Sequence, residues 1–203
     1  MEFNGAQGSF FIKAHLLPGF SCLSFPGTFH RARKNSIELF EEVHLKAFLE
    51  AKVFENERAF RIDLEDEFSL IFKMHGNRAN VLLAESERIV KVFRNDLATD
   101  FNVVPSNLHR KIDWSESFFL KHGQEIRQHH FTWGKHVWRH LDNKGYSNLP
   151  PNEQWQAVSH TRLLLENPEY YIVESDGLPV FSLLPEGEPA RKITSPTQAI
   201  TEF

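Results

Sequence analysis

Cysteine is almost absent from the sequence, and several familiar motifs are missing as well. Cys22 is the single cysteine among 203 residues, which excludes a disulfide framework within the chain and a zinc site built from several cysteines. The sequence also lacks a glycine-rich phosphate loop and the G-x-S-x-G motif of hydrolases. Cys22 lies in an alternating run of residues, where a small apolar core residue is a better explanation than a reactive thiol.

Long apolar runs and an export signal are absent too. No segment approaches the roughly 18 uninterrupted apolar residues that mark a transmembrane helix. Residues 1–5 have neither the basic start nor the apolar core of a signal peptide. Together with the low cysteine content, these absences predict a cytoplasmic protein without a membrane partner.

Positive charge is not in excess, but it is unevenly distributed. The net charge of −4 excludes a uniformly basic nucleic-acid binder. Residues 101–144 nevertheless hold seven Lys or Arg against four acidic residues, together with six histidines, whereas residues 145–203 hold three basic residues against eight acidic ones. Apolar residues make up 41% of the chain, and 19 phenylalanines against three tyrosines predict a core filled by rings that carry no polar group.

The first hundred residues predict a β-rich region. Residues 9–16 and 20–26 alternate as strands do, and Asn4-Gly5 is typical of a hairpin turn whose preceding strand would be incomplete. From residue 53 to residue 94 the hydrophobic period is two, which predicts an antiparallel meander.

Helical patterns flank the meander. A capped helix is predicted over 35–48, because apolar residues recur there at helical spacing. After residue 100 the spacing is helical again, over 114–126, 131–145 and 151–167, with Gly145 as a C-cap.

The end of the chain predicts a hairpin and one more helix. Residues 170–174 and 179–185 flank a turn, and Ser195-Pro196 has the form of an N-cap followed by proline at the first helical position. The sequence would end about two turns into that helix. This early end and the incomplete hairpin at the start predict a parent chain that is longer at both termini. The predicted class is α+β, with a β-rich region, a helical region and a terminal hairpin with the start of a helix over 1–100, 101–168 and 169–203.

Histidine pairs offer a metal-binding alternative. His136 and His140 lie four residues apart, so on a helix they would share a face that can chelate a metal ion. The glutamate that follows the first histidine in metalloproteases is missing. Surface histidines on a weakly basic helix explain this pair, and His129-His130, more simply. No metal, cofactor or catalytic group is therefore predicted.

Two segments combine basic residues with the start of an element. Arg31, Arg33 and Lys34 precede the predicted first helix, where basic side chains and free backbone N–H groups favour phosphate; an ordinary basic loop is the alternative. Glu57 and Arg58 open a strand, where an ion pair with a neighbouring strand is the simplest expectation.

The segment FKMHGNRANVLL, residues 72–83, reads as two apolar strands around a polar break with Arg78 between two asparagines. Its glycine and asparagines suit a chain reversal. Arg78 either serves the turn or meets a partner outside the chain.

Taken in order, four segments resemble the N-terminal domain of the NFACT family, the fibronectin-binding-protein-A-like proteins that include the ribosome quality-control factors RqcH and NEMF. They are FHRARKN, LFEEVHLKAFLEAKVFENERAF, IFKMHGNRANVLL and the terminal VFSLLPEGE. The third is the most specific, and FTWGKHVWRHL resembles the family's helix-hairpin-helix region only loosely. The likeness covers almost the whole chain. In detail the sequence resembles a Bacteroidetes-type branch of the family.

The resemblance implies a β-rich domain similar to the N-terminal domain of formamidopyrimidine-DNA glycosylases, followed by a helix-hairpin-helix region. It also implies a non-catalytic role. Family members bind a large ribosomal subunit that holds stalled peptidyl-tRNA, and they recruit tRNA so that the ribosome adds an alanine-rich tail to the nascent chain. In full-length relatives a coiled coil and a second RNA-binding domain follow.

The resemblance also implies RNA-binding roles for particular residues. An Asp-Arg pair of the family corresponds to Glu57 and Arg58, with an acid that is one methylene longer. The family's Gly-Arg turn corresponds to Gly76-Asn77-Arg78, with one residue inserted. The residues expected to contact tRNA or ribosomal RNA are Arg31, Arg33, Lys34, Glu57, Arg58, Arg78, Asn80, Lys135 and Arg139.

Two other functions are alternatives. A glycosylase-like enzyme would share the expected fold, but such enzymes use an N-terminal Pro-Glu and usually a cysteine zinc finger, whereas this chain has Met1-Glu2 and one cysteine. Fibronectin binding, the activity behind the older family name, is a secondary role at most in a chain without an export signal.

Overall fold

The protein divides into two compact units, Met1–Lys111 (unit 1) and Ile112–Phe203 (unit 2). Unit 1 is built from antiparallel strands, and the described part of unit 2 combines five α-helices with a small antiparallel sheet. The predicted α+β class is therefore confirmed, while the three-part division remains a prediction. The computed structural model describes residues 1–18, 21–30, 37–123, 125–175, 177–185 and 191–202.

Unit 1 begins with two separate hairpins. Their strands are β1 (Glu2–Gly5), β2 (Gly8–Phe11), β3 (Lys13–Leu16) and β4 (Ser21–Ser24), paired β1 with β2 and β3 with β4. The turn predicted at Asn4-Gly5 is wrong by two residues, because Asn4 and Gly5 pair with Ser9 and Gly8 and leave Ala6-Gln7 as the loop. Gly8, with a φ of +111°, supplies the backbone conformation that closes this loop.

A five-stranded antiparallel sheet forms the centre of unit 1. Its strands, in spatial and chain order, are β5 (Phe48–Val53), β6 (Ala59–Leu64), β7 (Phe68–Lys73), β8 (Asn80–Glu85) and β9 (Arg88–Val92). The meander predicted over 53–94 is confirmed. Period-two alternation identified it because each strand places successive side chains on opposite faces.

Both faces of this sheet are buried at its inner strands β7 and β8. One face packs the residues Ile12, Ile62, Leu64, Leu70, Phe72, Val81 and Leu83. The other face packs Phe54, Ala59, Ile71, Leu82, Ala84, Ile89 and Val92. Burial on two faces explains why β7 and β8 are nearly continuous apolar runs in the sequence.

The helix predicted over 35–48 is wrong in its described part. From residue 37 onward the chain forms a single 3-10 turn, Glu41–Val43, and then strand β5. Leu45 has a φ of +62°, a left-handed conformation in which a right-handed helix cannot continue. Only from Ala47 onward does the backbone bond to the sheet region, since the Glu65 amide donates to the Ala47 carbonyl at 3.1 Å and Phe48 pairs with Leu64.

Unit 2 begins with four helices. They are α1 (Glu116–His122), α2 (Ile126–His129), α3 (Lys135–Asn143) and α4 (Pro151–Glu166). The helix predicted over 114–126 is interrupted after His122, and the helix predicted over 131–145 begins only after Gly134. Gly145 follows α3 with a φ of +80°, as the predicted C-cap requires. The core of these helices is Phe119, Ile126, Trp133, Trp138, Leu141, Tyr146 and Val158.

A three-stranded sheet and a helix complete unit 2. They are β10 (Tyr170–Ser175), β11 (Leu178–Ser182), β12 (Arg191–Ile193) and α5 (Pro196–Glu202), with the sheet order β11-β10-β12. The predicted hairpin is confirmed by the pairing of β10 with β11. The predicted capped helix is confirmed as α5, since the Gln198 amide donates to Ser195 Oγ at 3.4 Å. Strand β12 is not predicted from the sequence. No helix in the described residues is long and apolar enough to cross a membrane.

Candidate nucleic-acid interface

The segment 72–83 forms the hairpin between β7 and β8 at one end of the central sheet. The Met74 amide, just after β7, donates to the carbonyl oxygen of Arg58, just before β6, at 2.8 Å. The connection to β8 contains a 3-10 turn, Gly76–Arg78. Residues 57–58 and this connection are therefore neighbours, and together they are named the arginine end of unit 1.

The connection is closed by its own backbone. The Arg78 amide donates to the His75 carbonyl at 3.2 Å, and the Ala79 amide donates to the Gly76 carbonyl at 2.9 Å. Gly76 has a φ of +60°, and a Cβ there would lie 3.3 Å from the carbonyl oxygen of Pro18. Both the conformation and the close approach favour glycine, in agreement with the turn chemistry predicted from the sequence.

A buried polar network lies beneath the turn. Lys73 and Asp100 form an ion pair with side chains 5% and 2% exposed. The Asn80 side-chain amide donates to Asp100 Oδ2 at 2.8 Å, and its Oδ1 accepts from the Val81 and Arg94 amides at 2.9 and 2.8 Å. Asn80 is fully buried, so its side chain is used within the chain, and we leave it out of the RNA contacts proposed below.

Arg94 connects this network to the turn. Its Nη1 donates to the carbonyl oxygens of Asn77 and Ala79 at 2.9 and 3.3 Å, and its Nη2 donates to Asp96 at 2.8 Å. Sequence reasoning missed Arg94 and Asp100, because their partners lie 14 to 27 residues away along the chain. No local motif brings such residues together; only the strand register does.

Two arginines at this end face solvent. Arg58 and Arg78 are both exposed, and neither guanidinium forms a hydrogen bond or an ion pair with a side chain in the described part of the protein. The backbone of Arg78 serves the turn, but its side chain does not. The sequence left open whether the Arg78 side chain serves the turn or faces outward. In the structure it faces outward.

Glu57, in contrast, is held by the chain. Its Oε1 accepts the Arg58 amide at 2.8 Å and lies 3.0 Å from His75 Nε2, in an orientation that makes no hydrogen bond. Its Oε2 lies 3.9 Å from Arg110 Nη1. The ion pairing expected where Glu57 and Arg58 open the strand is therefore made by the acid and not by Arg58.

His75 does not add to the charge of this end at neutral pH. Burial lowers the pKa of its imidazole; Glu57 opposes this shift, and the positive charges of Lys73 and Arg58 reinforce it. The imidazole is therefore neutral at pH 7. The exposed positive charge of the arginine end comes from guanidinium groups, which stay protonated at every working pH.

Five further residues are predicted to contact RNA. Arg31, Arg33 and Lys34 fall outside the described residues. Lys135 and Arg139 are exposed on α3 of unit 2. An RNA-binding role for these five residues stays a prediction.

Two of the four histidines of unit 2 that are predicted to lie at the surface are buried. His130 is fully buried and His140 is 4% exposed, so that interpretation is wrong for both. The His130 ring packs against Trp114 with ring centroids 4.0 Å apart, because a neutral imidazole fits among apolar rings. His136 is exposed on α3, so it does not share a site with His140.

His130 predicts a pH-dependent stability of unit 2. Burial lowers the pKa of His130; the hydrogen bond to the Asp113 carbonyl opposes this shift, and the charges of His129 and Arg162 reinforce it. In the unfolded chain the histidine pKa is about 6.5. The unfolded chain therefore binds a proton at His130 more readily than the folded chain does. The stability that neutral His130 contributes is complete above that value and is lost as the pH falls through the lower, folded-state pKa.

Urea unfolding followed by tryptophan emission measures this effect. Between about pH 7.5 and about pH 5, the free energy of unfolding should fall more in the wild-type protein than in His130→Phe, which keeps a ring against Trp114 but cannot titrate. The exposed His136→Phe is the matched control and should follow the wild type. Equal pH dependence in wild type and His130→Phe would contradict the expectation.

Comparison with models of known protein families finds no match for this chain. Comparison with curated proteins finds none either. Among solved structures, the chain is similar to the N-terminal domain of the fibronectin-binding protein PavA from Streptococcus pneumoniae, with 13% sequence identity and a TM-score of 0.44. The alignment covers 99% of this chain and 84% of that chain. At this level of similarity no function is transferred.

Proposed function

We propose that unit 1 binds RNA through Arg58 and Arg78, and that the chain is the non-catalytic N-terminal part of a ribosome quality-control factor. One observation carries the proposal: two exposed guanidinium groups, neither paired with an acidic side chain among the described residues, project from neighbouring segments at one end of the sheet. A guanidinium presents a planar set of donors that matches phosphate oxygens. RNA supplies such phosphates at regular intervals along its backbone.

The acids at the arginine end strengthen this assignment. Glu57 Oε2 lies 3.9 Å from Arg110 Nη1, and Asp96 forms an ion pair with Arg94 at 2.8 Å. Because these carboxylates already have cationic partners, they compete little for Arg58 and Arg78. A chain with a net charge of −4 thus presents a locally cationic surface at which phosphate can bind.

Rigidity at this end favours binding as well. The turn that bears Arg78 is hydrogen-bonded to Arg94, which in turn is fixed by buried Asn80. A preorganised turn loses less conformational entropy when a ligand binds. This supports a role for Arg78 as a positioned contact.

The resemblance of residues 72–83 and 54–60 to the NFACT family suggests which RNA is bound. In that family the corresponding segments belong to a domain that engages tRNA on an obstructed large ribosomal subunit. We therefore propose tRNA and the large subunit as partners and assign no bond-making step to the chain itself.

Binding of fluorescently labelled tRNA, measured by anisotropy at several salt concentrations, tests the proposal. Each lost guanidinium–phosphate contact is worth about 1.5 kcal/mol, so the double variant Arg58→Ala/Arg78→Ala should bind at least about 100-fold more weakly. The slope of log K against log salt should also fall by about two, because two fewer counterions are released.

Arg88→Ala provides the matched control. Arg88 lies at the opposite end of the same sheet, in the β8–β9 hairpin, and its side chain is 77% exposed. This variant removes one exposed arginine from unit 1 but should bind tRNA as the wild type does. If Arg88→Ala weakened binding as much as the double variant, a diffuse charge effect would replace the proposed site.

Co-sedimentation with purified ribosomal subunits tests the partner. The wild-type chain should sediment with large subunits that carry peptidyl-tRNA, and the Arg58→Ala/Arg78→Ala variant should not. Association with small subunits to the same extent would overturn the assignment to the large subunit.

A further inference from the structure

A cluster of two histidines and a glutamate lies where α1 meets α2 in unit 2. His122 is the last residue of α1, Glu125 directly precedes α2, and His129 is the last residue of α2. One ligand atom from each side chain lies within 4.8 Å of the other two. The Glu125 amide donates to the His122 carbonyl at 2.8 Å, so the backbone itself holds the first two residues close together.

The two imidazoles are oriented by a phenylalanine. The Phe118 ring stacks on His122, with centroids 4.4 Å apart and planes 30° apart, and meets His129 edge-on at 5.1 Å. The two imidazole rings lie 4.8 Å apart. Packing against one shared ring restricts the rotamers of both histidines, which lowers the entropy lost when they are fixed by a ligand.

Nearby positive charge is offset. Arg127 lies between the last two members of the cluster in sequence, but its Nη2 pairs with Asp142 at 2.6 Å and its guanidinium lies over the Trp138 ring. Glu125 brings its own negative charge to the cluster, with Oε2 3.9 Å from His129 Nε2. A divalent cation would therefore meet a carboxylate and two imidazoles.

We propose that His122, Glu125 and His129 form a zinc site with a fourth position open to water. Two imidazole nitrogens and one carboxylate suit Zn²⁺, whereas Mg²⁺ and Ca²⁺ prefer sites made only of oxygen. Tetrahedral zinc holds its ligand atoms about 3.3 Å apart, so small side-chain rotations that move each ligand atom by only about 1 Å would close the site.

The ion would join α1 and α2, which have seven and four residues. Helices this short are marginal by themselves. A ligand that binds only the folded state stabilises it in proportion to the logarithm of its concentration over Kd. A bound ion would therefore stabilise the junction of α1 and α2, and this effect is independent of the proposed RNA-binding role of unit 1.

Zinc titration of the full chain, carrying no polyhistidine tag, in competition with a colorimetric chelator tests the site. The wild type should bind one Zn²⁺ per chain and, with Co²⁺ in its place, should show the visible absorption of a tetrahedral ion. His122→Gln and His129→Gln should each bind Zn²⁺ about 100-fold more weakly, because a lost ligand costs at least as much as a lost outer-shell partner.

His136→Gln is the matched control, since His136 is an exposed histidine on the neighbouring α3. It should bind Zn²⁺ as the wild type does. Glu125→Gln, at an exposed position, should weaken binding about 10-fold without a change in folding, and it replaces the histidine variants if their circular dichroism is altered. Absence of stoichiometric zinc in the wild type, or equal affinity in wild type and both His122→Gln and Glu125→Gln, would overturn the proposal.

Discussion

Replacing Asp100 by alanine is expected to lower the free energy of unfolding of unit 1 by about 3–5 kcal/mol. The change leaves the Lys73 ammonium buried without its carboxylate partner, and it removes one of the two acceptors of the Asn80 side-chain amide. A domain of ordinary stability has only about 5–15 kcal/mol in total, so the variant should lie close to its folding limit.

Urea unfolding followed by circular dichroism measures the loss, and amide hydrogen exchange in β7 and β8 assigns it to unit 1. The matched control is Asp96→Ala, which removes an exposed carboxylate from the same region and should change stability little. In the double variant Lys73→Met/Asp100→Leu no charge is buried alone, so part of the loss should be recovered. An Asp100→Ala protein as stable as Asp96→Ala would refute the role of the ion pair.

Replacing Phe72 by alanine should have a similarly large effect, about 3–5 kcal/mol, through the cavity it leaves. Phe72 is 1% exposed in the middle of the hairpin strand β7. Its ring stacks in parallel on Phe60 of β6, with centroids 4.6 Å apart. The prediction of a core filled by phenylalanine rings is wrong for this cluster, because its other buried members are Ile, Leu and Val; the substitution removes its one fully buried ring.

The same unfolding experiment applied to Phe93→Ala provides the comparison. Phe93 follows β9 in the same unit and is 51% exposed, so its truncation opens no closed cavity and should cost much less. Equal losses in the two variants would mean that the Phe72 site collapses fully around the smaller side chain.

The central sheet was the most predictable part of the fold. In β6 and β9 the alternation of apolar and polar residues reflects directly how a strand places its side chains. The failed helix at 35–48 shows the limit of such patterns. Spacing at three and four residues describes which side chains would share a helical face, but it does not reveal the left-handed backbone of Leu45, after which the chain continues into β5.

The arginine end was predictable only in part. Arg58 and Arg78 stand out in the sequence as basic residues beside strand ends. The glycine of the turn indicates that the chain reverses direction there. Asn80 shows why the residue type alone does not identify a site residue. An asparagine beside a turn can contact a ligand or form several buried hydrogen bonds within the chain. The choice depends on Asp100 and Arg94, which reach it only through the register of the sheet.

The histidines illustrate the same limit in unit 2. An i, i+4 spacing places His136 and His140 on adjoining turns, but it does not reveal which direction faces the core. The cluster of His122, Glu125 and His129 has spacings of three and four residues, which in the sequence are those of a single helical face, but in the structure it spans an interruption between two helices. Its members meet because the chain turns between them.

Strand β5 has a consequence for the solubility of unit 1. It is an outer strand of the central sheet, all six of its residues are exposed, and Phe48, Leu49 and Val53 are among them. An outer strand offers unpaired backbone groups to which a second extended chain can add. Glu50 and Lys52, which pair with each other, interrupt this apolar segment with charge. These two residues act as gatekeepers against strand-to-strand aggregation, a task separate from holding the fold together.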